Sequence, residues 1–213
     1  MKTFFYIAFC LMALSTLAYI FWKQELQYSL PTEVPANLVD INSGEKLDLK
    51  NLPFATSKDK ATFVHFYNND CPCSRFNAAE FDKMVLKYKD LVNFYAVVQI
   101  NDDAEEELKV FKEKYNLGIP IVADPSGKIA QQLGVYATPQ AVIINTDSTL
   151  FFKGNYNRAR YCVSKNTKFA EMALDAWLKD EPAPQFGSLA TVAYGCELPV
   201  NQKDNTLNFL DIF

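Results

Sequence analysis

Between Ala61 and Tyr67 the chain reads Ala-Thr-Phe-Val-His-Phe-Tyr, a β-branched and aromatic run with almost no polar alternation. A strand with one wet face alternates apolar and polar side chains. A continuous apolar run instead marks a strand covered on both faces, as in a parallel sheet with helices above and below it. Cys71-Pro72-Cys73-Ser74-Arg75 follows directly. Beyond it Phe76, Ala79, Phe81, Met84, Val85 and Tyr88 recur at helical spacing. The pattern predicts a strand that delivers two cysteines to the start of a helix. Unpaired N–H groups and partial positive charge at such a helix end favour thiolate over thiol, and thiolate is the reactive form.

The flanking segments extend this pattern. Val92 to Ile100 reads as a second buried strand, and Ile119 to Ala123 as a third, short one ended by Asp124-Pro125-Ser126-Gly127. Between them Asp102-Asp103 and Glu105 to Glu107 open a helix whose apolar side is Leu108, Phe111 and Tyr115. These acids suit the positive end of a helix better than a metal site. A short helix is expected over Lys128 to Leu133, then strands at Gln140 to Asn145 and Thr149 to Lys153 joined as a hairpin. Phe169, Met172, Ala173, Ala176 and Trp177 mark a last amphipathic helix. Strands alternating with helices predict an α/β sandwich around a mixed central sheet. Leu38 to Ile41 suits a short edge strand, followed by a turn at Asn42-Ser43-Gly44, and Ala190 to Tyr194 suits another strand.

Composition narrows the function. A net charge of −4 and the lack of a basic stripe argue against nucleic acid as a partner. The single histidine, His65, excludes a His-rich metal site and a conventional zinc finger, and within its strand it reads as a core residue. Thr3 to Trp22 is a stretch of 20 residues without a charge, which matches the roughly 30 Å hydrocarbon core of a bilayer. Its exit, Tyr19-Ile20-Phe21-Trp22-Lys23, has no small-residue cleavage site, which favours an uncleaved anchor over a removed signal. Cys10 within it reads as a lipid-facing residue, because Phe9 stands where a lipoprotein signal carries a small one. The expected organisation is a transmembrane signal-anchor over 1–23, a Pro-containing tether over 24–36, a globular α/β domain over 37–180 and a C-terminal extension with Cys196 over 181–213. The expected location is the inner (cytoplasmic) membrane, single-pass, with the domain on the extracytoplasmic or periplasmic side, where disulfides persist.

From Val39 to Lys179 the order of elements resembles the thioredoxin-like fold. Three features carry the resemblance: the strand-to-helix cysteine motif, Thr138-Pro139 placed 68 residues after Cys71, and the hairpin-plus-helix finish. It implies a three-layer sandwich and an active site in which Pro139 is cis and faces the cysteines. Thr138 would then offer backbone groups to an extended substrate. The alternative is a trans proline ending a loop. Cys71 lies five residues after Phe66, the family's spacing, but Ser74 occupies the position of the usual resolving cysteine, and Cys73 comes one residue early. Cys-Pro-Cys-Ser-Arg-Phe combined with a late Gly195-Cys196 resembles a sparsely described bacterial branch of thioredoxin-like proteins.

Four cysteines follow the apolar segment, so three pairings are possible. The favoured expectation is a redox-active Cys71–Cys73 pair, with Cys162–Cys196 as a structural clamp on the tail. A ring with one intervening residue is strained and readily reduced. The rival is that Cys196 resolves Cys71. Arg75 is expected to stabilise the thiolate or to lie on the surface, and Ser74 to bond the thiolate or cap the helix. The leading functional expectation is a membrane-tethered thiol–disulfide oxidoreductase acting on protein thiols and disulfides with a separate redox partner. Others are a peroxiredoxin-type peroxidase (Asn68 stands where that family has Thr or Ser), a Cu(I) module on Cys71 and Cys73, and a non-catalytic binding domain. No nicotinamide, flavin or nucleotide fingerprint is present, so no cofactor is expected.

Overall fold

The apolar N-terminal stretch forms α1 (Lys2–Gln24), a helix of 23 residues with none buried. Among the described residues it is the one helix long and apolar enough to cross a membrane, with a mean hydropathy of 2.1 over its most apolar window. The structure, a computed structural model, describes residues 2–54, 57–100, 104–158 and 164–201. Asp102-Asp103, Cys162 and the chain after Asn201 lie outside them.

The apolar run from Ala61 to Tyr67 forms β1 (Thr62–Asn68), buried at all seven positions. It leads into α2 (Pro72–Tyr88), then β2 (Asn93–Gln99), α3 (Ala104–Lys114), β3 (Ile121–Asp124) and α4 (Lys128–Gln132). A two-residue strand, β4 (Ala137–Thr138), precedes the hairpin of β5 (Gln140–Ile144) and β6 (Leu150–Gly154). The chain continues through α5 (Phe169–Leu178), α6 (Ser188–Thr191) and β7 (Cys196–Glu197). The main sheet has the order β3-β2-β1-β5-β6, and β4 pairs separately with β7. β1 runs parallel to β2 and antiparallel to β5, so the sheet is mixed, as expected.

Alternation along the buried strands divides the core into two layers. Phe63 and Tyr67 of β1 join Phe94 and Val98 of β2 under Phe81 of α2 and Leu174 of α5. Val64 and Phe66 face the other way, toward Leu47, Phe54, Ile129 and Leu133. Each fully buried large side chain of this kind contributes roughly 1.5–3 kcal/mol. The central strand is therefore fixed from both sides, and with it the point where β1 hands the chain to α2.

Three local expectations fail for identifiable reasons. Leu38 to Ile41 forms no strand; the β6 side of the sheet is met instead by the segment after the turn, where Lys46 bridges Thr149 and Leu47 N donates to Ser148 O at 2.9 Å. Leu47 reaches the core at 4% exposure, whereas Val39 is 50% exposed, so burial selects the later segment. On α2, Phe76 and Ala79 face solvent, and the buried stripe runs through Cys73, Ser74, Asn77 and Ala78. The polar Ser74 and Asn77 hide that register from a hydrophobic pattern. Ala190 to Tyr194 is not a strand; α6 covers its start, and the pairing moves on to Cys196.

His65 is a core residue, as its setting predicts. Its ring stacks on Phe81 with centroids 4.1 Å apart, and Nδ1 lies 2.7 Å from the Tyr156 hydroxyl. Complete burial lowers its pKa to about 3. The unfolded chain takes up this proton near pH 6.5 and the folded one does not, so stability falls as pH drops below 6.5 and levels off near 3. The expected slope from this group is about 1.4 kcal/mol per pH unit across that window. Urea melts at pH 6.5 and 4.5 will show it as a difference between the wild type and His65→Gln. Parallel loss in both proteins would contradict it.

Candidate active site at the start of α2

Cys71 is the N-cap residue of α2, with extended backbone angles (φ −80°, ψ 115°) and no capping bond from its side chain. Pro72 takes the first helical position, where its locked φ suits the helix and its missing N–H costs nothing. Cys73 and Ser74 complete the first turn, both buried. The Ser74 hydroxyl accepts from Asn68 N at 3.3 Å, so it ties the end of β1 to α2 rather than capping the helix. The amide oxygen of Asn68 accepts from Asp70 N at 2.7 Å. Arg75 is exposed, and its guanidinium donates to Asn69 O at 3.4 Å, bracing the loop between β1 and α2.

Across from the cysteines, the Thr138–Pro139 bond is cis, as the resemblance implies. The sulfur of Cys71 lies 3.4 Å from Thr138 O. β7 lies antiparallel on β4, with Cys196 opposite Thr138 and Glu197 opposite Ala137. Cys71 and Cys196 form a disulfide with their Cα atoms 5.8 Å apart.

This pairing corrects the favoured expectation. Cys71 joins Cys196 and not Cys73, and Cys196 is therefore unavailable to Cys162, which lies outside the described residues. Cys73 sits inside the helix two residues past the cap, where closing a ring on Cys71 would oppose the helical backbone. Strand pairing brings Cys196 in without that conflict. All three sulfurs nevertheless lie within 4.8 Å of one another. In this arrangement Cys71 is 1% exposed, while Cys196 is half-buried.

The tail is held along its length. Gly195 has φ +135°, and a Cβ there would run into the carbonyl oxygen of Thr138. Ala193 N donates to the Tyr136 hydroxyl at 3.2 Å, and Leu198 is buried in the second core layer. On its outer side the tail meets the tether: Thr32 N donates to Ala193 O at 2.9 Å, and Pro31 bridges Tyr194. The tether's role was not legible in the sequence. No hydrophobic period or motif marks Pro31-Thr32 as a partner for residues more than 150 positions away.

A strand-to-helix cysteine facing a cis-proline strand, on a five-stranded mixed sheet, defines a thioredoxin-like domain. The chain belongs to the AhpC/TSA family, whose model matches residues 32–176. That segment contains Cys71, Cys73 and Pro139 and stops short of Cys196. Among curated relatives, the thiol-disulfide oxidoreductase ResA of Bacillus thuringiensis (strain Al Hakam) is 26% identical over 129 residues, covering 60% of this chain and 70% of that protein. ResA of Bacillus cereus (strain ZK / E33L) is 26% identical over 135 residues, covering 62% and 73%. Among solved structures, an uncharacterized conserved protein from Geobacillus kaustophilus matches with a TM-score of 0.58 at 23% identity, covering 66% of this chain and 77% of that one. A hypothetical protein from Sinorhizobium meliloti 1021 matches with a TM-score of 0.56 at 24% identity, covering 67% and 81%.

Proposed function

We propose that the chain is a thiol–disulfide oxidoreductase for protein thiols and disulfides, tethered by α1 with its domain on the extracytoplasmic side. Cys71 is the attacking sulfur and Cys196 the resolving one. The observation that carries this reading is the seat of Cys196: opposite Thr138 on β4, beside the cis-proline, and bonded to Cys71. The names of the ResA relatives support the reaction class. The length and hydropathy of α1 support the anchor.

The exposures of the two cysteines suggest the order of events. An incoming thiolate from a dithiol reductant meets the half-buried Cys196 first. Its sulfur bonds to Cys196, the Cys71–Cys196 bond breaks, and Cys71 leaves as a thiolate at the N-terminus of α2. The reductant's second thiolate then attacks the mixed disulfide. The reductant departs oxidised, and Cys196 is released as a thiol. With β7 lifted from β4, Cys71 attacks a substrate disulfide and expels one substrate thiolate. Cys196 then attacks the Cys71 sulfur of that mixed disulfide, releasing the second substrate thiolate and restoring the Cys71–Cys196 bond. Two electrons pass from reductant to substrate, or the reverse where the partners' potentials favour it. Thr138 and Pro139 shape the peptide seat, and Ser74 and Arg75 hold the loop that presents Cys71.

Cys196→Ser tests this directly. It keeps the attacking sulfur and removes the resolving one, so mixed disulfides on Cys71 will accumulate as high-mass bands on non-reducing gels. The bands will vanish in the Cys71→Ser/Cys196→Ser double variant. An empty trap in cells making normal amounts of the protein would count against the reading. Peroxide consumption is the test of the peroxidase alternative. The site offers it an amide at Asn68, already engaged with Asp70, in place of a hydroxyl.

A further inference from the structure

The disulfide uses two of three converging sulfurs and leaves the third unexplained. Among the described residues, Cys71, Cys73 and Cys196 are the one place where three metal-donor side chains meet. The geometry points to a second state of this site: with the disulfide reduced, the three thiolates bind one Cu(I) ion as a trigonal all-sulfur centre.

The chemistry of the donors selects the ion. The cluster has three soft thiolates and neither a carboxylate nor an imidazole, a set that suits Cu(I) over hard cations. Zn(II) in a structural site takes four ligands in a tetrahedron. Here the cluster supplies three side-chain donors and not four, and the Thr138 carbonyl oxygen lies 3.4 Å from the Cys71 sulfur. With metal–sulfur bonds of about 2.3 Å, a trigonal centre holds its sulfurs about 4.0 Å apart. The three sulfurs already lie within 4.8 Å, so small side-chain movements suffice. Cys71 and Cys73 are 1% and 2% exposed, so two of the three ligand sulfurs lie out of water. The N-terminus of α2, where both residues sit, offsets part of the net −2 charge of three thiolates and one Cu(I).

The steps balance. A dithiol reductant gives two electrons and two protons to the Cys71–Cys196 bond, yielding two thiols and an oxidised reductant. Cu(I) then displaces three protons, one from each thiol, with no change of oxidation state. Copper and the disulfide exclude one another: the oxidised chain offers no trigonal centre, and the loaded chain has no available Cys71 thiolate. This state does not depend on the oxidoreductase reading and is measured without turnover.

The test uses the full chain in detergent, with Cys10→Ser and Cys162→Ser to silence the other thiols. The protein is reduced, freed of reductant and titrated anaerobically with Cu(I) supplied as its acetonitrile complex, against bicinchoninate as competitor. One ion per chain is expected, with three sulfur neighbours by X-ray absorption. Cys73→Ser and Cys196→Ser should each weaken binding at least tenfold, and the oxidised chain should retain none. A two-sulfur spectrum, Cys196→Ser binding as tightly as its parent, or preferential retention of Zn(II) from an equimolar mixture would each overturn the proposal. The absorption spectrum of the chain with all three ligands keeps the outcome decisive even if a buried variant folds poorly.

Discussion

Cys71→Ser is expected to reduce disulfide exchange on the order of 10³-fold or more, to the background of the assay. A serine hydroxyl does not ionise at neutral pH, even at a helix N-terminus, so the N-cap position of α2 loses its nucleophile. The substitution also removes a cross-link that closes a loop of 125 residues. On chain-entropy grounds that loss lowers stability by about 5 kcal/mol. Cys196→Ser loses the same cross-link and keeps the attacking sulfur, which separates the two effects. Both variants should melt earlier by similar amounts. In a Cys10→Ser/Cys162→Ser background, Cys196→Ser should form a mixed disulfide with a small disulfide reagent far faster than Cys71→Ser does. If both variants form it equally, Cys71 is not the attacking sulfur.

Gly195→Val is expected to uncouple Cys196 from Cys71 without touching either sulfur. The left-handed φ of +135° at Gly195 disfavours any L side chain, and a Cβ meets the carbonyl oxygen of Thr138 directly, with the Pro139 ring 3.6 Å away. Backbone strain and overpacking together cost about 3 kcal/mol, roughly a hundredfold in the ratio of docked to undocked tail. The reduced fraction of Cys196 in a glutathione redox buffer should rise accordingly, read by thiol alkylation and mass spectrometry. Catalytic turnover that relies on Cys196 for resolution should fall with it, while the first attack by Cys71 persists. An unchanged redox equilibrium would mean that β7 does not control the approach of Cys196. Gly195→Ala, with the smaller side chain, should show the same change at lower amplitude.

The scaffold was written locally in the chain. The apolar run at Ala61 to Tyr67 defined a strand buried on both faces, and it is β1, the middle of the sheet. Helical periods gave α3 and α5 and short apolar runs gave β2, β3 and the hairpin, because burial of near-neighbour side chains leaves a period in sequence. The position of Pro139 relative to Cys71 was legible through its resemblance to a known fold, and the bond is cis. The register of α2 was not, because its buried stripe includes Ser74 and Asn77, whose polar character belongs to the site and not to the core pattern.

Which sulfur meets Cys71 was a tertiary decision. Proximity in sequence favoured Cys73, but side-chain direction in a helix is set by the backbone, and Cys73 lies one residue inside α2. Cys196 arrives from 125 residues away because β7 pairs with β4, Gly195 permits the close approach, and Pro31-Thr32 hold the outer side of the tail. None of these contacts has a sequence period, since each joins segments that are distant along the chain. The residues thus determined that sulfur chemistry would sit at the end of β1. The packing of tail on sheet determined its partner, because backbone hydrogen bonds between remote strands carry no signature in either strand alone.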